Sequence, residues 1–142
     1  MQPTIYNVVE RVREDFDSAI INTSSFRNQV TIQVKKEYWI SLGQFLKNDS
    51  LCSFDKCIDL EVVEREHVFE VTCFLFSSSK NQRLRIKTFT EGTLSSLASI
   101  WPSVASSELY YSRLPGLHFE SESTTLVPLD AATYGQGGYA FA

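Results

Sequence analysis

Histidine is nearly absent from this chain: His67 and His118 are the two it has in 142 residues. Cysteine is scarce too, with Cys52, Cys57 and Cys73 giving an odd count and no Cys-x-x-Cys pair. A structural zinc site needs about four ligands at short paired spacings, which these residues do not supply. Three cysteines provide no disulfide framework and fit a reducing compartment, with Cys73, inside an apolar run, acting as a small core residue. Positive charge is in deficit: 13 Lys and Arg stand against 17 Asp and Glu, a formal net charge of -4. That balance argues against nucleic acid as a partner, because such binders carry a basic surface that releases counterions. No apolar run approaches the roughly 20 residues of a membrane helix. Met1-Gln2-Pro3-Thr4 lacks the basic and apolar parts of a signal peptide. The expectation is a chain in water, held to a membrane only through partners.

What is present is periodicity. Ile5, Val8, Val9, Val12 and Phe16 recur at helical spacing behind Thr4, a capping residue, and predict a helix ending near Asp17. Residues 19–21 suggest a short strand before a polar turn, Asn22-Thr23-Ser24-Ser25. Gln29-Val30-Thr31-Ile32-Gln33-Val34 alternates polar and apolar, as a strand with one buried face does. Lys35-Lys36-Glu37 opens a second helix in which Tyr38, Leu42, Phe45 and Leu46 share a face, and Asn48-Asp49-Ser50 stops it. Residues 57–63, 68–76 and 84–89 read as three strands joined by two polar connections. On the last strand Arg83, Arg85 and Lys87 face one way and Leu84 and Ile86 the other, with Glu61 and Glu70 as cross-strand counter-charges. The sum is an α+β fold in two layers: helix-strand-strand-helix, then a three-stranded antiparallel meander and a short helix, with the helices on one sheet face.

Residues 1–119 form the predicted domain. From residue 120 the composition changes: Glu120-Ser121-Glu122-Ser123 is polar, and Tyr134-Gly135-Gln136-Gly137-Gly138-Tyr139 is rich in glycine and aromatics. Such a tail, 120–142, buries little area alone and is expected to be extended or laid on a partner, with Tyr134, Tyr139 and Phe141 as anchors.

A search for chemistry yields no catalytic set. His67 falls at a predicted turn between Glu66 and Glu70 with no nucleophile in context, and His118 lies in an extended run. Gly135-Gln136-Gly137-Gly138 does not join a strand to a helix, the setting a phosphate loop requires. The residues alone leave two readings open: a free-standing α+β protein-binding adaptor, or a small enzyme whose pocket the sequence does not reveal.

The order of elements and the stretch from Phe69 onward carry a resemblance. Phe69-Glu70-Val71-Thr72-Cys73-Phe74-Leu75-Phe76-Ser77 is followed by the basic strand Leu84-Arg85-Ile86-Lys87 and by Ser96-Leu97-Ala98-Ser99-Ile100-Trp101-Pro102. Counting on without a gap sets Glu108 on a first signature glutamate and Gly116, Leu117 and Phe119 on a closing Gly-Ile-x-Phe. This pattern resembles the 30-kilodalton-type hydrophilic subunit of respiratory complex I (NADH:quinone oxidoreductase) and its relatives in other NDH and hydrogenase complexes. Ser106, Leu109, Tyr110, Ser112 and Arg113 stand where that family has tryptophan, arginine, glutamate, tyrosine and aspartate. A following Gly-His-Pro segment is replaced by residues 120–123.

The resemblance implies a non-catalytic subunit of the peripheral arm, without cofactor, at the cytoplasmic, matrix or stromal face of an energy-transducing membrane. Its partners would be the large hydrogenase-like subunit near the quinone site and iron–sulfur subunits. Of the partner-facing residues, Trp101, Glu108, Gly116, Leu117 and Phe119 follow from the resemblance. Arg83, Arg85 and Lys87 read as a solvated sheet face or as a docking patch for an acidic protein surface, and Tyr134 and Tyr139 are the aromatic anchors of the tail. The change at Leu109 and Tyr110 would replace an ion pair by packing, leaving Glu108 to pair with Arg113 or another subunit.

Overall fold

A computed structural model describes residues 4–121. Expectations for Tyr134, Tyr139 and the rest of the tail beyond residue 121 fall outside these residues. The chain opens with α1 (Ile5–Phe16), where the Thr4 backbone N–H donates to Asn7 Oδ1 at 2.8 Å. Val8 and Val12 are its buried positions, and the helix closes into a short 3-10 turn at Asp17–Ala19.

The first strand departs from expectation. β1 runs Ile20–Phe26, so the polar run 22–25 is strand, and the reversal falls at Arg27 and Asn28, both with positive φ (53° and 67°). A two-residue turn in that conformation matches the twist of a hairpin. β1 is an edge strand and leaves most of its side chains to solvent, so polar residues are tolerated there.

β2 (Gln29–Val34) leads through a 3-10 turn at Lys36–Tyr38 into α2 (Trp39–Asn48). The helix starts later than its charged residues suggest, and Trp39, not Tyr38, is buried. β3 (Lys56–Arg65), β4 (Val68–Ser77) and β5 (Gln82–Thr90) form the expected antiparallel meander. The sheet order is β1-β2-β5-β4-β3, with β2 and β5 parallel and the other neighbours antiparallel.

Burial alternates cleanly along β4 and β5. The inner face (Val71, Cys73, Leu75, Leu84, Ile86) packs with Val8 and Val12 of α1 and Leu42 and Leu46 of α2. The outer face carries Phe74, Arg83, Arg85 and Lys87, each half-buried or exposed. Both principal helices therefore lie on one side, and the other side of the sheet has no layer over it among the described residues.

Beyond β5, β6 (Thr93–Ser95) pairs in parallel with β7 (His118–Glu120), a small second sheet the sequence did not announce. Between them residues 96–101 form a turn, followed by a 3-10 turn at Pro102–Val104 and α3 (Ala105–Tyr111). Proline disfavours helical backbone in the residue before it, and Trp101 is accordingly extended (φ -127°, ψ 93°). The short helix thus begins after Pro102.

Candidate functional site

The turn at residues 96–101 is heavily fastened to the rest of the chain. Glu108, on α3 and 6% exposed, reaches back to it. Its Oε1 accepts from Ser96 Oγ at 2.5 Å and its Oε2 from the Leu97 N–H at 2.8 Å. Burial raises the Glu108 pKa above the ordinary value of 4.5, and the two hydrogen bonds only partly oppose that rise. Trp101, 2% exposed, donates from Nε1 to the Phe54 carbonyl at 2.9 Å. Lys47, in the last turn of α2, gives its ammonium to the Ile100 carbonyl at 2.9 Å. Gly43 lets α2 approach: a β-carbon there would lie 3.0 Å from Ile100 Cδ1 and 3.3 Å from the Trp101 ring. Leu117 is buried, and Gly116 reaches φ 90° in the turn that delivers β7.

Trp101, Glu108 and Leu117 are therefore interior residues of this chain. Glu108 does not pair with Arg113, whose guanidinium lies 5.7 Å from the centre of the Tyr110 ring. With Glu108 turned inward, the next two positions of α3 point away. Leu109 is 70% exposed and Tyr110 60% exposed. The expected packing at these two positions is thus not internal to the described chain. Two adjacent large side chains on a short helix, beside the half-buried Tyr111, make an exposed apolar patch.

The outer face of the sheet is the second candidate surface. Glu70 accepts from Arg65 Nε at 2.7 Å and lies 3.3 Å from Lys87 Nζ. Burial opposes its charge, but these two cations prevail and hold its carboxyl below the ordinary range. Lys87 is thus partnered within the chain. Glu61, the other expected counter-charge, forms no ion pair among the described residues. Arg83 stacks 5.0 Å over the Phe76 ring. Arg85 Nη2 is 3.5 Å from the Gln29 carbonyl, and its buried Nε meets no acceptor among the described residues. Arg83 and Arg85 edge a depression of about 130 Å³ that Phe74 and Ile58 also line. Two guanidiniums beside an aromatic ring suit an acidic protein surface. Phe119 is half-buried in β7 and packs against the core.

His67 sits exposed at the β3–β4 turn and His118 exposed in β7. Among the described residues no group of three His, Cys, Asp or Glu is placed to hold a metal ion. No described helix is long and apolar enough to cross a membrane.

The cations of β5 and the individual residues Trp101 and Glu108 stand out in the sequence. The exposure of Leu109 and Tyr110 does not; its signal is the presence of uncharged, bulky residues at positions where the related signature is charged.

Residues 32–126 match the family described as "Respiratory-chain NADH dehydrogenase, 30 Kd subunit". The NADH-quinone oxidoreductase C subunit of Hyphomonas neptunium is 32% identical over 53% of this chain and 40% of its own length. Its counterpart in Geotalea uraniireducens is 32% identical over 66% of this chain and 59% of its own. The chain spans about half the length of the curated relatives it matches. Among solved structures, a chain of the membrane-bound sulfane sulfur reductase, an archaeal respiratory membrane complex, aligns with a TM-score of 0.65 at 14% identity. That alignment covers 81% of this chain and 69% of the other, and shows a shared fold.

Proposed function

The chain belongs to the family of the respiratory-chain NADH dehydrogenase 30 Kd subunit, and from that premise we propose that it is a non-catalytic structural subunit of an NADH:quinone oxidoreductase-type or related hydrogenase-type complex. It packs in the peripheral arm against the large hydrogenase-like subunit near the quinone site, with iron–sulfur subunits close by. It carries no cofactor, binds no nucleic acid, and reaches the membrane through its partners, on the cytoplasmic, matrix or stromal side.

One observation supports the reading beyond family membership. Glu108 is committed to the turn at Ser96 and Leu97, so Leu109 and Tyr110 are presented outward as an apolar pair. Large apolar groups displayed this way at a short helix mark a protein contact more readily than a solvent face. Arg83 and Arg85, beside Phe76 and the neighbouring depression, provide a cationic contact on the outer sheet face. Gly116 and Phe119 shape the β7 segment, while Trp101 and Leu117 belong to the interior that supports α3.

The test is co-purification from gently solubilised membranes with the tagged chain as bait. Wild type is expected to bring down a hydrogenase-like large subunit together with iron–sulfur subunits. Leu109→Glu with Tyr110→Ser, and separately Arg83→Glu with Arg85→Glu, are expected to lose that recovery while keeping a native circular-dichroism spectrum. Normal assembly of both variants would overturn the assignment of these surfaces. Wild type recovered alone and monodisperse would favour a free-standing protein-binding adaptor.

A further inference from the structure

Cys57 and Cys73 lie side by side in the core, on neighbouring antiparallel strands. Their sulfur atoms are 2.7 Å apart, and both residues are buried. They are not register partners: Cys57 faces Leu75, and Cys73 faces Leu60. A bulge between Cys57 and Asp59 brings them together. It inserts an extra residue into β3, so Ile58 and Asp59 both turn outward while Cys57 and Leu60 both turn in. The inward turn carries the Cys57 sulfur diagonally onto Cys73.

The surroundings of the pair are unequal. Cys57 also lines a surface groove of about 390 Å³ between β3 and the Trp101–Ser103 segment, with Lys56 among its lining residues. Ser103 Oγ donates to the Cys57 carbonyl at 3.0 Å and fixes the backbone there. Cys73 is 0% exposed and does not line the groove. Cys57, 6% exposed, is therefore the member of the pair that borders the groove, with the Cys73 sulfur beside it.

We propose that Cys57 and Cys73 form a peroxide-reactive dithiol, with Cys57 attacking and Cys73 resolving, that closes to a cystine across β3 and β4. The inference is independent of which complex the chain joins. In the first step the Cys57 thiolate attacks one oxygen of hydrogen peroxide and the O–O bond breaks. The departing hydroxide takes the proton the thiol gave up and leaves as water, and Cys57 becomes a sulfenic acid. In the second step the Cys73 sulfur attacks the Cys57 sulfur and displaces its hydroxyl, which leaves as a second water with the Cys73 proton. Two thiols lose two electrons, and one peroxide becomes two waters.

The electrostatics follow the same division of labour. The hydrogen bond with Cys73 lowers the Cys57 pKa against the effect of burial, whereas burial raises that of Cys73. Cys52, the third cysteine, is pushed up to about 12, chiefly by burial, and interacts with Asp49 rather than with the pair. It serves as an internal control.

The experiment treats the whole folded chain with graded hydrogen peroxide, then unfolds it in an alkylating reagent and reads the mass of each cysteine peptide. The expected product is a chain lighter by two hydrogen atoms, with Cys57 and Cys73 in one linked peptide and Cys52 alkylated. Dithiothreitol should restore all three thiols. The cystine closes a loop with a separation of 16 residues, and the oxidised form should melt roughly 5–10 °C higher. Cys73→Ser should trap Cys57 as a sulfenic acid reactive toward dimedone, and Cys57→Ser should leave Cys73 untouched at the same dose. Over-oxidation of Cys57 in the wild type with Cys73 free, linkage through Cys52, or three alkylated thiols after treatment would each overturn the proposal.

Discussion

Glu70 and Glu108 are the same side chain in opposite circumstances. Glu70, on the outer sheet face, sits between Arg65 and Lys87, and its pKa falls. Glu108, on α3, pairs with no cation among the described residues; burial dominates and its pKa rises. The sheet face therefore uses charge that is stabilised where it stands. The α3 region uses a carboxyl as a hydrogen-bonding clamp, and the charge is a liability that the clamp tolerates. The contrast separates what holds the chain together from what it can offer a partner: the clamp region is interior and well satisfied, and the sheet face has Arg83 and Arg85 to spare.

The sharpest way to break the clamp side is to remove its largest member. Trp101→Ala empties a fully packed indole site beside Gly43 and leaves the Phe54 carbonyl without its donor. Loss of a buried tryptophan of this kind costs about 3–5 kcal/mol. Urea unfolding should show a much lower midpoint with the slope preserved.

Second in size is Glu108. Glu108→Ala leaves the buried Leu97 N–H without its acceptor, a loss of about 1–3 kcal/mol. Glu108→Gln keeps an acceptor without the charge and yields a signed pH effect. A carboxyl whose folded pKa is raised contributes stability that is complete below its ordinary value and is lost as pH rises through the folded value. The Gln variant has no such loss. Its stability relative to wild type should therefore improve as pH is raised from below 4.5 toward neutrality. A constant difference across that range would contradict the burial of this carboxyl.

The same contrast explains which parts of the molecule were legible in the sequence. Alternation along residues 68–76 and 84–89 reports one buried face directly, and β4 and β5 appear as expected. The helical spacing of Val8, Val9 and Val12 is equally plain, and α1 is where it should be. Only the start of β1 was legible, at residues 19–21; the rest was hidden because an edge strand needs no apolar partner on most positions, and Asn22-Thr23-Ser24-Ser25 has the composition of a turn. Its true turn, Arg27-Asn28, lacks the glycine that usually marks positive φ. β6 and β7 are three residues each and meet across a long separation, so no local period announces them. Glu108 stands out by its place in a pattern, but its inward orientation depends on the hydroxyl of Ser96 and the N–H of Leu97, which reach it only through the turn that Pro102 ends. Exposure at Leu109 and Tyr110 follows from that orientation and was invisible for the same reason.

The smallest effect belongs to the sheet face, and its sign is opposite. Glu70→Gln removes the shared charge from two partly exposed ion pairs, where interactions are typically worth under about 1 kcal/mol. A carboxyl with a lowered folded pKa contributes stability that is present above its ordinary value and is lost as pH falls through the folded value. Wild type should exceed Glu70→Gln at neutral pH, and the two should converge on acidification below 4.5. Added salt should narrow the gap at neutral pH, because Arg65 and part of Lys87 are open to solvent. If the gap instead widened in acid, the Glu70 carboxyl would be held by burial as Glu108 is, and the outer face would have to be a covered surface rather than an open one.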